Sequence, residues 1–227
     1  MRRLFTPILA GATFADRALA CVGGIIGIAL TSLLAWLVLR DLAALAIIVA
    51  PMGASAVLIF AVPASPFAQP WPVIGGNTIS ALIGVFFAQT FASPHLAAGL
   101  AVGFAILAMS LSRCLHPPGG AAALTAVIGD PAITAAGYSF VLFPVAVNAI
   151  CLVIVGGAFH LVSGHSYPHK PKAILGQRIM ERDLAPAHPE DIEAALADLG
   201  ETFDISSDDL ELILRRVDFH AAQRRNS

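Results

Sequence analysis

From Ala18 to Leu39 the sequence runs 22 residues without a charged side chain. Few features restrict a chain more. At the helical rise of about 1.5 Å per residue such a run crosses the ~30 Å hydrocarbon core of a bilayer. Inside that core every backbone polar group has to be satisfied within the protein, so a lone apolar run of this length has to be helical. Further apolar runs follow at Leu42–Val62, Ile74–Phe91, His95–Leu111 and Tyr138–Leu161. Residues 1–169 carry only five Arg (2, 3, 17, 40, 113) and three Asp (16, 41, 130). The whole chain is 12% charged with a mean hydropathy of +0.80, against roughly 25% charged for a soluble domain. These values exclude a soluble globular protein and predict an all-α membrane protein of four to six membrane segments.

Two of the apolar runs are interrupted, and at similar places. Leu115–Gly129 reads LHPPGGAAALTAVIG, and Ala50–Phe60 reads APMGASAVLIF. Pro117 and Pro118 lack the backbone N–H and push the residue before them out of helical geometry, so a helix arriving through Met109 breaks near His116. Proline is tolerated in a first helical turn and the following alanines favour helix, so the helix restarts at once. With Pro51 laid on Pro118, Gly53 meets Gly120 and Ala54 meets Ala121, and with a few residues of slack in the intervening loop Asn77 falls opposite Asn148. The chain therefore reads as two related three-element units: long helix, Pro/Gly-broken helix, long helix. The second broken segment, Gly119–Ile128, is about ten residues, too short to cross alone, so half-helices are expected to meet near the midplane. Broken segments at matching positions of two halves point to a transporter's central site. A helix N-terminus with side-chain-free glycines beside an imidazole is the equipment of an anion site. His116 as a neutral cap on a carbonyl at the break is the plainer alternative.

Pro63–Val73, PASPFAQPWPV, holds four prolines and no charge. It is expected to lie at the interface with Trp71 as an anchor, or to fold back over the site; a plain connector is the other option. Gly23, Gly24 and Gly27 form a small-residue stripe for close helix packing. Arg40-Asp41 closes the first span as an interfacial pair, and Arg113 reads as a snorkelling residue. Cys21, Cys114 and Cys151 sit in apolar runs as packing residues. His160, His165 and His169 have no accompanying carboxylate or thiolate, so no metal is expected, and no cofactor or nucleic acid either. No nucleophile–base or metal-hydrolase constellation appears, so no enzyme is expected. Residues 1–168 form the membrane domain, and residues 169–227 a cytoplasmic tail with eight basic and twelve acidic groups. Two amphipathic helices are expected there, PEDIEAALADLG and a second one capped by Ser206 with Leu210, Ile213, Leu214 and Val217 on one face. Arg2, Arg3, Arg17 and Lys170, Lys172, Arg178 favour cytoplasmic placement of both termini, and therefore an even number of crossings. A membrane unit this small is expected to form a homodimer.

The APMGASAVLIF run, its continuation PASPFAQPW and the HPPGGAAAL motif resemble the HPP family of integral membrane proteins over roughly residues 18–168. The resemblance implies four spans and a transporter in a bacterial inner membrane, with a small inorganic anion, nitrite first, as the substrate. In members of the family the membrane part commonly ends in Arg-x-Tyr-Pro. Here the equivalent is His165-Ser166-Tyr167-Pro168. Many bacterial members continue into a pair of nucleotide-sensing CBS domains; this sequence stops before one, so such regulation is either absent or carried beyond residue 227. The mechanism implied is electrostatic. Backbone N–H groups near Gly53, Ala54, Gly119, Gly120 and Ala121 would bind the anion, with positive charge from His116, while Ser55, Asn77, Thr125 and Asn148 would replace its water. The competing reading is a membrane-anchored sensor or scaffold whose tail recruits a regulatory or partner domain. A transporter requires a hydrated cavity around the breaks, and a sensor requires closed, dry packing there.

Overall fold

The computed structural model describes residues 9, 13–39, 48–170, 189–199, 205, 210–215, 217 and 223. Arg2, Arg3, Arg40, Asp41, Lys172, Arg178 and the cap at Ser206 lie outside the described residues. The described elements are helical throughout: α1 Phe14–Leu39, α2 Pro51–Ala61, α3 Asn77–Thr90, α4 Pro94–Leu111, α5 Pro117–Ile128, α6 Pro131–Ala136, α7 Val147–Ser163 and α8 Pro189–Leu199. Single 3₁₀ and π-helical segments add Pro66–Ala68, Pro72–Gly76 and Val141–Ala146. Four helical stretches are long and apolar enough to cross a membrane: Phe14–Val38, Pro72–Thr90, Pro94–Leu111 and Val141–Ser163. α2 and α5, with 11 and 12 residues, are apolar as well but shorter than these stretches. A long helix precedes each short Pro-led helix, α1 before α2 and α4 before α5; the 3₁₀ turn Pro66–Ala68 and a π-helical turn then lead into α3, and α6 and a π-helical turn lead into α7.

The chain divides into two compact units, Leu19–His169 and a second made of Met1–Ala18 with Lys170–Ser227. In the first, α3, α4 and α5 pack tightly because small residues let their backbones approach. Gly84 of α3 lies against the Ala123 backbone and Ala126 of α5. The α1 stripe also has a partner within this unit: the Phe60 ring of α2 fills the notch at Gly23 and Gly27, while Gly24 faces open space. Phe159 of α7 meets the same ring edge-on at 5.3 Å. An apolar groove of about 490 Å³ opens between α3 and α4, lined among others by Phe86, Phe104, Leu107, Leu111 and Tyr138.

Two local features of the helix starts have clear causes. Asp130 does more than end α5: its carboxylate accepts from the Ala132 and Ile133 N–H groups at 2.9 and 3.0 Å and so starts the short α6. Two π-helical turns stand at the heads of the second and last of the four membrane-length stretches, where a wider turn leaves backbone carbonyls available to side chains. In the second unit, Ile192 and Leu196 of α8 are buried against Ile205, Leu210 and Leu214, so the two tail segments pack on each other. Ile213 and Val217 face outward, 50% and 57% exposed.

Candidate functional site

The break between α4 and α5 ends one helix and starts the next within five residues. Arg113 takes φ 54°, the left-handed position normally given to glycine, and it is exposed. Its N–H donates to Ser110 O at 3.3 Å and the Cys114 N–H to Met109 O at 2.9 Å, the two bonds of a Schellman termination. His116 is then extended, φ −143° and ψ 108°, as the prolines after it require. This conformation turns the imidazole inward, where it is fully buried.

The imidazole joins a directional chain of hydrogen bonds. His116 Nδ1 lies 2.8 Å from Phe67 O, and a carbonyl only accepts, so Nδ1 carries the proton. In the neutral ring Nε2 is then bare and accepts from the Ser55 hydroxyl of α2 at 2.8 Å. Ser55 Oγ in turn accepts from Asn77 Nδ2 at 3.3 Å. The same Nδ2 donates to Val73 O at 2.8 Å, a carbonyl in the π-helical turn before α3. Adding a proton to the ring would reverse one link: Nε2–H would donate to Ser55 Oγ, and the hydroxyl would swing to Pro51 O, 3.2 Å away. Ser55, Asn77 and His116 are all sealed from solvent.

The roof of this cluster is the Pro63–Val73 segment, which folds back over the break instead of merely connecting. Ser65 caps its 3₁₀ turn through Phe67 N–H at 3.2 Å. Gln69 Nε2 donates to Pro63 O and Ser65 O at 2.9 and 2.8 Å, which closes the loop on itself. Trp71 is 55% exposed, as an interfacial anchor would be, and its Nε1–H donates to Ser112 O at 3.0 Å. The residues after α7 strap the roof down. Tyr167 OH donates to Ala68 O at 3.0 Å, and the His169 N–H donates to Gln69 Oε1 at 2.8 Å. Burial pushes the Tyr167 hydroxyl above its ordinary pKa.

The expected residues divide accordingly. Ser55, Asn77 and His116 come together, with Gly119 beside them: a methyl on Gly119 would meet Ser80 Oγ at 2.7 Å and Gly76 O at 2.9 Å. Gly53, Ala54 and Ala121 lie on exposed faces and Gly120 is half-buried, with nothing near either glycine's missing side chain. Thr125 spends its hydroxyl on Ala121 O of its own helix at 2.8 Å. Asn148 is buried but serves the start of α2, where its Oδ1 accepts the Val49 N–H at 2.9 Å. The free N–H groups expected at the two helix starts are also largely engaged. Gly53 N–H donates to Ala50 O at 3.0 Å and Gly119 N–H to His116 O at 2.8 Å, while three of the first-turn positions are prolines with no N–H at all.

Ser80, Gln69, Tyr167 and the Phe67 carbonyl were missed from sequence. Ser80 carried a signal, since it stands three residues after Asn77 on one helical face. Of the three histidines after Val155, His160 is committed to protein contacts: its Nε2 donates to Ile59 O at 2.9 Å and its Nδ1 meets Ser163 Oγ at 2.8 Å, tying α7 to α2.

Comparison with known proteins agrees with this architecture. Residues 10–168 match the profile of "HPP, transmembrane region". A transmembrane protein of Dictyostelium discoideum is 38% identical over 112 residues, which is 48% of this chain and 39% of that protein. A second from the same organism is 38% identical over 106 residues, 45% of this chain and 34% of the relative. The chain thus covers well under half the length of the curated relatives it matches. No solved structure matches. With its membrane part matched almost end to end, this chain belongs to the HPP family of integral membrane proteins.

Proposed function

We propose that the chain is a permease or channel for a small inorganic anion, nitrite first, and that the His116–Ser55–Asn77 chain is the centre through which the ion passes. The observation that carries this reading is a fully buried polar cluster assembled from two interrupted helices in the interior of a membrane protein. Polar groups at such depth are costly and mark ion paths. Broken helices at matching places in two halves favour the same conclusion. In this reading the backbone N–H groups contribute less than side chains do, because the prolines and first-turn bonds leave few of them free. Among the described residues, no Asp, Glu, Lys or Arg belongs to the cluster, so an anion entering it is matched by a proton. The reading also includes a homodimer in a bacterial cell membrane with both termini in the cytoplasm; four stretches long and apolar enough to cross, an even number among the described residues, support placing both termini on one side.

The sealed state of Ser55, Asn77 and His116 favours the second reading, a membrane-anchored sensor or scaffold with a dry centre. Anion uptake into proteoliposomes separates the two. The permease reading expects saturable nitrite uptake that falls at least tenfold in His116→Ala. No uptake of nitrite, nitrate, chloride or formate by folded protein would move the assignment to the sensor. Reporter fusions at each terminus and native mass spectrometry test topology and dimer.

A further inference from the structure

We propose that Asn77 Oδ1 and Ser80 Oγ form the selective part of the centre and that they take a small oxyanion as its conjugate acid, proton included. The proposal rests on the permease reading. Both atoms are fully buried, and neither has a hydrogen-bond partner. The amide orientation at Asn77 is settled by chemistry: its nitrogen faces Val73 O at 2.8 Å, and only a donor can face a carbonyl. Oδ1 is therefore a true acceptor left bare in the interior, a costly arrangement that calls for a donor. Ser80, one turn on along the same face of α3, brings a hydroxyl against the first turn of α5 at Gly119. The two orphans thus stand beside the Ser55–His116 pair and the start of the second broken helix.

Their chemistry is selective. A bare anion only accepts hydrogen bonds, so it would be repelled by Asn77 Oδ1 however well Ser80 served it. Asn77 Oδ1 requires a donor, and with Ser80 donating its own hydroxyl proton, a ligand that satisfies both offers one O–H donor and one oxygen acceptor. Nitrous acid and formic acid have that pair. Nitrate and chloride, conjugates of strong acids, carry no proton in water at any pH at which the protein stays folded. An uncharged acid also suits a cluster that holds no fixed charge.

The test is influx of nitrite, formate, nitrate and chloride into proteoliposomes with a trapped pH dye, protein-free vesicles subtracted, for wild type, Ser80→Ala and Asn77→Leu. Nitrite and formate are expected to enter with one proton per ion, at least tenfold faster than nitrate or chloride. Asn77→Leu is expected to slow the weak-acid flux tenfold or more, and Ser80→Ala to slow it severalfold. Nitrate or chloride moving within twofold of nitrite would overturn the conjugate-acid proposal and leave the permease intact. Flux of no anion would sink the permease reading and this proposal with it. Selectivity that survives in folded Asn77→Leu would reduce the two orphans to the site of an ordered water. Should Asn77→Leu not fold, wild-type selectivity and Ser80→Ala, which removes one oxygen, decide the matter.

Discussion

Replacing Gly84 by alanine tests whether α3 and α5 are held together by backbone approach. A methyl there would lie 2.8 Å from Ala126 Cβ and 2.9 Å from Ala123 Cα, and closer still to Ala123 O. Ordinary carbon contacts begin near 3.5 Å, so the helices would have to part by roughly 0.6–0.7 Å to relieve the two carbon contacts and by more to clear Ala123 O. Overpacking of this kind costs about 1–3 kcal/mol. The upper end applies, because two of the atoms met are backbone and cannot swing aside. Alanine in a helix interior returns about 0.8–1 kcal/mol over glycine. The net loss is then about 2 kcal/mol, a ~30-fold shift in the folding equilibrium. Gly103 is the control: it also lies inside a helix, α4, but has nothing within 4 Å of its missing methyl. Gly103→Ala should gain up to about 1 kcal/mol. The measurement is equilibrium unfolding by SDS titration in mixed micelles, followed by far-UV circular dichroism. Gly84→Ala as stable as wild type, or Gly103→Ala equally damaging, would refute the packing argument.

Tyr167→Phe leaves Ala68 O without its donor and should cost about 1–2 kcal/mol, with faster hydrogen exchange in the Pro63–Val73 segment and none in α4. Since burial raises the Tyr167 pKa, the folded protein keeps this proton above about pH 10, where the unfolded chain releases it. Stability should therefore be complete below that pH and decline above it, less steeply in Tyr167→Phe; equal alkaline slopes in SDS titrations would count against this. Asp130→Ala removes the cap of α6 and should cost about 0.5–2 kcal/mol, most of which Asp130→Asn recovers. Melting curves of the two variants that coincide would show that the cap contributes nothing.

The long spans and the short Pro-led helices were legible because their causes are local. Uncharged runs of fixed length and prolines that forbid helix before them act on a few adjacent residues, and α4 and α5 fall within two residues of where the sequence put them. His116, Ser55 and Asn77 were legible as polar exceptions in apolar surroundings. What Gly53, Ala54 and Gly120 do was not. Rotation about a helix axis decides whether a first-turn residue faces the cluster or the outside, and it is set by partners far along the chain. The roof was foreseen only as one option, since the bonds that fix it to the rest of the protein join residues 41 to 100 positions apart, as in Trp71–Ser112 and Gln69–His169. π-helical turns leave no composition signal, so the carbonyl that holds Asn77 could not be seen in advance.

The neutrality of the cluster has an electrical consequence. A unit charge carried through the membrane field gains or loses about 2.3 kcal/mol per 100 mV. Serine and asparagine carry no charge, and neither does an imidazole bearing its one proton on Nδ1, so turning the empty centre from one side to the other moves no charge through that field. Under the proposed mechanism the loaded centre moves none either, since anion and proton cancel. Voltage would then have no grip on either half of the cycle, and a pH difference across the membrane would set its direction.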